Sequence, residues 1–314
     1  MGLRIPRGVL CAGNVVYDIL TRPADRFEWG ATTWVESIDP HLGGNGANTS
    51  YALAKLGAAA RLLSIVGRDD FGAYCLWRLK SAGADVSFVE HSAEQTATTV
   101  GLVRADGLRA FLHRPGASHL AFAKPIEFGG DLIDGFSHFH LGNPFGLPGI
   151  RAQAADTLAR ARAAGLTTSA DTGWDARGEW MTLLGPCLPF IDLLFVNEDE
   201  ARMLTGASAP AEAAAIFREG GAADIAIKLG ERGCAVFSEA EEIRVPAFQV
   251  SVKDTTGAGD CFAGGFLAAL HHGMYYEAAA RFANAVGALN VQSIGSTEGL
   301  LCYEETLSWM EHAQ

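Results

Sequence analysis

Residues 252–266 read Val252-Lys253-Asp254-Thr255-Thr256-Gly257-Ala258-Gly259-Asp260-Cys261-Phe262-Ala263-Gly264-Gly265-Phe266. From Phe262 onward the apolar positions Gly265, Phe266, Ala269 and Leu270 follow the period of one buried helix face, which predicts a helix starting at about Gly257. Its first amides lack intrahelical partners and carry the positive end of the dipole, so the glycines let an anion approach bare backbone N–H groups. Asp260 falls in that first turn. A carboxylate there either complements the dipole or acts as a base beside the bound anion. Gly264 and Gly265 inside a helix cost roughly 1 kcal/mol each relative to Ala, which points to a close approach by backbone or ligand.

Outward from this stretch the chain alternates strands and helices. Strands are expected at 8–12, 60–66, 86–89, 139–141, 167–170, 193–196 and 225–229, with helices opening after Gly44 and spanning 71–82, 150–164 and 198–204. Glycines 57, 83, 165 and 206 stop these helices. Such alternation predicts a three-layer α/β/α fold around a mostly parallel sheet. The segments 233–238 and 243–246 follow each other without a helix, so the far edge should be antiparallel, and the last third should hold helices at 257–271, 276–292 and 303–311. Two insertions, at about 19–40 and 97–113, carry β-formers and an Ala105-Asp106-Gly107 turn. They predict a small β-sheet lid on a single domain spanning 1–314.

The composition excludes several classes. With 49% hydrophobic and 19% charged residues the chain can bury a large core. Lys and Arg number 24 against 36 Asp and Glu, without a basic cluster, so neither nucleic acid nor a membrane surface is an expected partner. The six cysteines are dispersed, without a C-x-x-C pair, which fits buried free thiols and a cytoplasmic location. No signal-peptide pattern or 18-residue apolar stretch occurs. The nine histidines show no metal-binding spacing; His138, His140, His271 and His272 read as structural. Asp70-Phe71-Gly72 spells a protein-kinase tripeptide, yet no H-R-D loop accompanies it, so it reads as a turn into a helix. Neither a P-loop nor a complete dinucleotide fingerprint is present.

In an open parallel sheet, ligands bind beyond the carboxyl ends of the strands. That rule groups Asp18, the Gly43-Gly44 loop, Asn143, Asp171, Asn197, Glu200 and Gly230, although Asn197 and Glu200 equally fit a helix capping box. These residues carry a resemblance. From Gly13 to Gly299 the chain resembles the PfkB, or ribokinase-like, carbohydrate kinases. The segment 254–260 with Phe262 and Gly264 resembles the family's C-terminal signature, and Gly43-Gly44 with Asn48 its N-terminal one. Asn197-Glu198-Asp199-Glu200 is similar to its N-x-x-E motif, and Lys228-Leu229-Gly230 with Gly233 to its nucleotide loop.

The resemblance implies transfer of the γ-phosphoryl of ATP to a primary hydroxyl of a sugar. Asp260 would take the hydroxyl proton, and the amides of Gly257, Ala258 and Gly259 would hold the transferring oxygens. Asp18, Gly43, Gly44, Asn48 and Asn143 would hold the acceptor, and Lys228, Gly230, Gly233 and Asn284, with Asn197, the nucleotide. Asn197 and Glu200 would act on Mg²⁺ through water. Asp254, Thr256, Asn290, Ser293, Gly295 and Gly299 match the positions where relatives hold a monovalent cation such as K⁺.

Departures from the pattern bear on the acceptor. Asn45 stands where ribokinases have Lys, and Gly142 where they have an acid. The stretch 171–175 lacks the arginine of the family's sugar-acid and fructose kinases, and Gly13-Asn14 with Asp18 is also similar to its nucleoside kinases. Pentose, hexose, sugar acid and nucleoside thus stay open, as does a silent sugar- or nucleotide-sensing protein. Lid cations for an anionic acceptor would be Arg104, Arg109, His113 or Arg114. Trp29 and Trp34 could wall the substrate or join two lids in a homodimer.

Overall fold

A computed structural model describes residues 2–26, 28–106 and 108–313. Its main sheet has nine strands in the order β13-β12-β11-β10-β9-β8-β1-β4-β5. These are β1 (Gly8–Ala12), β4 (Ala60–Gly67), β5 (Val89–Ser92), β8 (Phe136–Gly142), β9 (Thr167–Asp171), β10 (Leu193–Asn197), β11 (Asp224–Lys228), β12 (Cys234–Phe237) and β13 (Glu242–Val245). Pairing is parallel from β11 through β5 and antiparallel for β11–β12 and β12–β13. The other four strands form a separate sheet, β3-β2-β6-β7, built from β2 (Val16–Arg22), β3 (Ser37–Gly43), β6 (Thr98–Val103) and β7 (Arg109–Arg114). Of the expected Ala105-Asp106-Gly107 turn, Gly107 lies outside the described residues.

The helices are α1 (Asn45–Lys55), α2 (Asp70–Ala82), α3 (Pro148–Ala163), α4 (Met181–Leu184), α5 (Glu198–Thr205), α6 (Pro210–Glu219), α7 (Ala258–His271), α8 (Tyr276–Val291) and α9 (Tyr303–His312). The inner strands are buried on both faces because helices cover both. Val9, Cys11, Leu193 and Phe195 point to the layer of α1, α2, α7 and α8, whereas their neighbours Leu10, Ala12, Leu194 and Val196 point to that of α3, α5 and α6.

Three expectations need correction. The strand read at 86–89 is β5, Val89–Ser92: Val86 is buried in the preceding turn, where burial without ladder hydrogen bonds mimics a strand pattern. Helix α6 was not expected; Pro210 at its start and the buried Ala213, Ala214 and Phe217 are its signals. Helix α7 is not amphipathic, since every residue from Cys261 to Leu270 is buried. It lies between α1 and α8, and the two glycines are the notches. A Cβ on Gly264 would sit 2.7 Å from Ala52 Cβ, and one on Gly265 would sit 2.9 Å from Val286 Cγ2. The close approach is therefore by neighbouring helices. Asp69 caps α2 by accepting from Gly72 N at 2.8 Å, so Asp70-Phe71-Gly72 is a helix start.

Candidate active site

Gly257 ends the loop before α7 with φ 72°, a left-handed conformation that glycine adopts without strain, and it has no side-chain cap. The loop is fastened from behind. Lys253 N donates to Val291 O at 2.7 Å, Asn290 Nδ2 to Thr256 O at 2.9 Å, and Gly295 N to Asp254 Oδ2 at 3.0 Å. The amide of Ala258 turns back on Thr255 O at 3.3 Å, a long bond that an anion oxygen can replace.

In front of the loop lies a cavity of about 580 Å³, within the range of small-molecule sites. It brings together Gly257, Ala258, Gly259 and Asp260 with Asn143, Asn197, Glu200, Lys228, Gly230, Gly233 and Asn284. One wall is apolar, made by Phe248, Val250, Val252, Ala288 and Val291. Sequence reading expected Asn284 and its helix here but missed the rest of the wall, because Phe248, Val250 and Val252 come from the irregular 246–253 segment.

The site's charges are paired across the sheet. Lys228 Nζ, at the end of β11, lies 2.7 and 2.8 Å from the two oxygens of Asp171, at the end of β9. Burial draws the ammonium's pKa down, but Asp171 and Glu200 outweigh it and hold it raised. Lys228 also sits beneath the Gly257–Gly259 turn, 3.2 Å from where a Cβ on Gly259 would be. Glu200 Oε2 accepts from Thr172 Oγ1 at 2.7 Å and from Asn197 N at 3.0 Å, while Glu200 N donates to Asn197 Oδ1 at 2.8 Å. The capping box read as an alternative is thus present, on residues that also line the cavity. Among the described residues there is no group of three or more His, Cys, Asp or Glu that could hold a metal ion. One carboxylate beside Asn197 suits Mg²⁺ that keeps most of its waters, but no all-protein cage.

Asp260 is the hinge between this cavity and the remaining residues. Its Oδ2 accepts from Asn48 Nδ2 at 2.8 Å. Burial raises its pKa, with Asn48 and Lys228 opposing. Asn48 belongs to α1, which starts just after Gly44, and Gly43 touches Asp18: a Cβ there would overlap Asp18 Oδ2 at 2.0 Å. Asp18, Gly43, Gly44 and Asn48 therefore form a second group outside the cavity wall, joined to it through Asp260. Asn45 exchanges hydrogen bonds with Asn14, Asn45 N donating at 2.9 Å and Asn14 N at 3.2 Å, which fixes the turn between β1 and β2. Asp18 lies in β2 opposite His41 and Thr99, and burial pushes its pKa up to about 6. By strand register Thr99, His113, Phe111 and Arg109 share its face of the small sheet, whereas Arg114 alternates to the other face and is bound to Gln95 and Thr98. The loop side of Asp254, Thr256, Asn290, Ser293, Gly295 and Gly299 forms a third group behind the Gly257–Gly259 turn.

The model of the pfkB family carbohydrate kinases matches residues 9–301. The chain belongs to this family. It is a phosphotransferase with an alcohol group as acceptor. Among pfkB relatives, 2-dehydro-3-deoxygluconokinase of Bacillus subtilis (strain 168) is 30% identical over 299 residues, covering 90% of both chains. ATP-dependent ribose-1-phosphate kinase of Halopiger xanaduensis is 33% identical over 290 residues, covering 92% of this chain and 93% of the relative. Among solved structures, an E. coli protein provisionally named ribokinase II, in complex with ATP and Mg²⁺, superposes with a TM-score of 0.86 at 25% identity, over 98% of this chain and 99% of that one. The ribokinase-like α/β fold with its separate small sheet is thus shared with solved pfkB-type kinases. No helix among the described residues is long and apolar enough to cross a membrane.

Proposed function

We propose that this chain transfers the γ-phosphoryl group of ATP to a primary hydroxyl of a sugar, a pentose, hexose or sugar acid. The observation that carries the reading is that Asp260 and the Gly257–Gly259 amides share one helix turn and open on one cavity, with the ammonium of Lys228 beneath them. The amides meet the transferring oxygens, where preorganised donors stabilise developing charge without reorganisation. Asp260 takes the proton of the acceptor hydroxyl, and its raised pKa makes it a better acceptor than a solvated carboxylate. Asn48 orients it. Asp18, Gly43, Gly44 and Asn48 present the acceptor, with Asn143 at the cavity side.

The apolar wall with Asn284, Gly230 and Gly233 suits a nucleotide base and its phosphates, and Asn197 and Glu200 would hold Mg²⁺ through water. When bound, the metal supplies positive charge against the phosphate oxygens. The reading draws support from a structural neighbour solved with ATP and Mg²⁺ and from relatives named for 2-dehydro-3-deoxygluconate and ribose 1-phosphate. Exposed Ile38, Leu112, Trp29 and Trp34 on the small sheet and its connecting loop suit a second copy, so the proposal includes a homodimer through the lid. Free cysteines, five of them buried, suit the cytoplasm.

The test is ADP release with pentoses, hexoses, sugar acids, sugar phosphates and nucleosides, using the native chain and Asp260→Asn. The variant should bind ATP as the native chain does, with kcat lower by about 10²–10⁴-fold. Native-like turnover in the variant would refute Asp260 as the base. Absence of turnover by the native chain with every acceptor would favour a sensing protein.

A further inference from the structure

The six residues matching a monovalent-cation site include one charged group, Asp254, and its carboxylate is already filled. Oδ1 accepts from Arg109 Nη1, from Thr256 N at 2.9 Å and from Thr256 Oγ1 at 2.7 Å, while Oδ2 accepts from Gly295 N at 3.0 Å. Arg109 arrives from β7 of the small sheet, 145 residues away in sequence. Its Nη1 also donates to Thr256 Oγ1, and its Nη2 donates to Thr255 Oγ1 at 2.7 Å. Each partner is used consistently: the Thr256 hydroxyl donates to the carboxylate and accepts from the guanidinium. Asn290, which donates to Thr256 O at 2.9 Å, leaves its Oδ1 buried without a partner. Asn290 Oδ1 and the backbone carbonyls of these residues are neutral oxygens, and the one carboxylate that would draw a cation to them is already neutralised by Arg109. The set therefore does not fit a free cation at Asp254.

We propose that Arg109 is a built-in counter-cation. It supplies from the lid the positive charge that Asp254 requires, and it positions the loop 254–259, and with it the anion hole, whenever the small sheet lies over the cleft. Two consequences follow from charge balance. The native chain works without added monovalent cation. Removing the guanidinium leaves a buried carboxylate that a small cation can then satisfy, so K⁺ dependence appears where there was none. Arg109 is not among the residues that line the cavity and reaches its wall only through the hydroxyl of Thr255; it is a positioning residue acting through Asp254, Thr255 and Thr256.

The experiment compares the native chain, Arg109→Met and Arg109→Lys in buffers whose monovalent cation is K⁺ or choline. Two readouts are taken: thermal unfolding without substrates, and initial rates with the acceptor that the native chain phosphorylates. Native Tm and kcat should be the same in both salts. Arg109→Met should melt higher in K⁺ than in choline, as binding to the folded form requires. Its kcat in choline should fall by about tenfold or more, with KM for ATP little changed and kcat partly restored by K⁺. Arg109→Lys, which keeps the charge, should stay cation-independent. A native Tm or kcat that rises in K⁺, or an Arg109→Met indifferent to K⁺ in both readouts, overturns the proposal. The inference rests on the kinase reading only through its rate arm. Should no acceptor be turned over, that reading fails while the melting arm still decides the role of Arg109.

Discussion

Replacing Lys228 by Met keeps the side-chain stem and removes the ammonium that neutralises the site. The two oxygens of Asp171 lie 2.7 and 2.8 Å from Nζ, and the side chains are only 15% and 11% exposed. At an effective dielectric of about 20, a pair at this separation attracts by about 6 kcal/mol before desolvation is counted. Most of that offsets the cost of taking both charges from water, so the net worth of the intact pair is small. Breaking it is different, because Asp171, whose carboxyl burial pushes up to about 7 even beside Lys228, stays behind and must take up a proton, and Glu200 and Asp260, which also act on Lys228, lose their common counter-charge. Lys228→Met should therefore destabilise the fold by about 3–5 kcal/mol. Adding Asp171→Asn should recover much of the loss, giving a coupling of about 1–3 kcal/mol in the double-mutant cycle. Urea unfolding followed by tryptophan fluorescence measures all four corners as shifts in midpoint at constant slope. A loss under about 1 kcal/mol in Lys228→Met, or a double variant no more stable than the single, would refute the buried-pair argument.

Two further outcomes are expected. Asp18, whose pKa is raised to about 6, should be ionised to accept hydroxyl hydrogen bonds from the proposed acceptor. The acceptor's kcat/KM should thus fall as pH drops through about 6 while KM for ATP holds, and in Asp18→Asn that acidic limb should vanish; a retained limb would assign it elsewhere. For stability the sign is opposite: protonated Asp18 suits its buried place, so its contribution is present below its ordinary pKa and is lost as pH rises through about 6. Gly264→Ala sets helix propensity, worth about 1 kcal/mol in Ala's favour, against a Cβ 2.7 Å from Ala52 Cβ. Overpacking of this kind costs about 1–3 kcal/mol, so the variant should melt lower and, by displacing Asn48, lose turnover; a higher Tm would show that α1 gives way freely.

What the sequence made legible is what is local. The anion-hole turn, the first strand and the glycine stops at Gly83 and Gly206 are written within a few residues, and the structure has left-handed glycines at both stops. The limits of β5 were misread because hydrophobic residues mark burial, not ladder partners, and α6 was missed because alanines carry little periodic contrast. The site's decisive contacts are long-range: Asn48 with Asp260, Asp171 with Lys228, and Arg109 with Asp254. The strand-end rule placed Asp171 near the cleft, but no spacing along the chain could pair it with Lys228. Arg109 was read only as one of several lid cations, since its partner is set by how the small sheet folds over the cleft.

The two notches of α7 have a consequence for how such a molecule changes over generations. With α1 locked into Gly264 and α8 into Gly265, Asn48, Asp260 and the anion hole ride on one rigid block. The strands bearing Asp18, Thr99, Phe111 and His113 form a separate sheet. On the proposed function, selection can therefore rewrite the surface that would read a new acceptor, strand by strand, while the block that would take the proton and hold the phosphate is inherited intact.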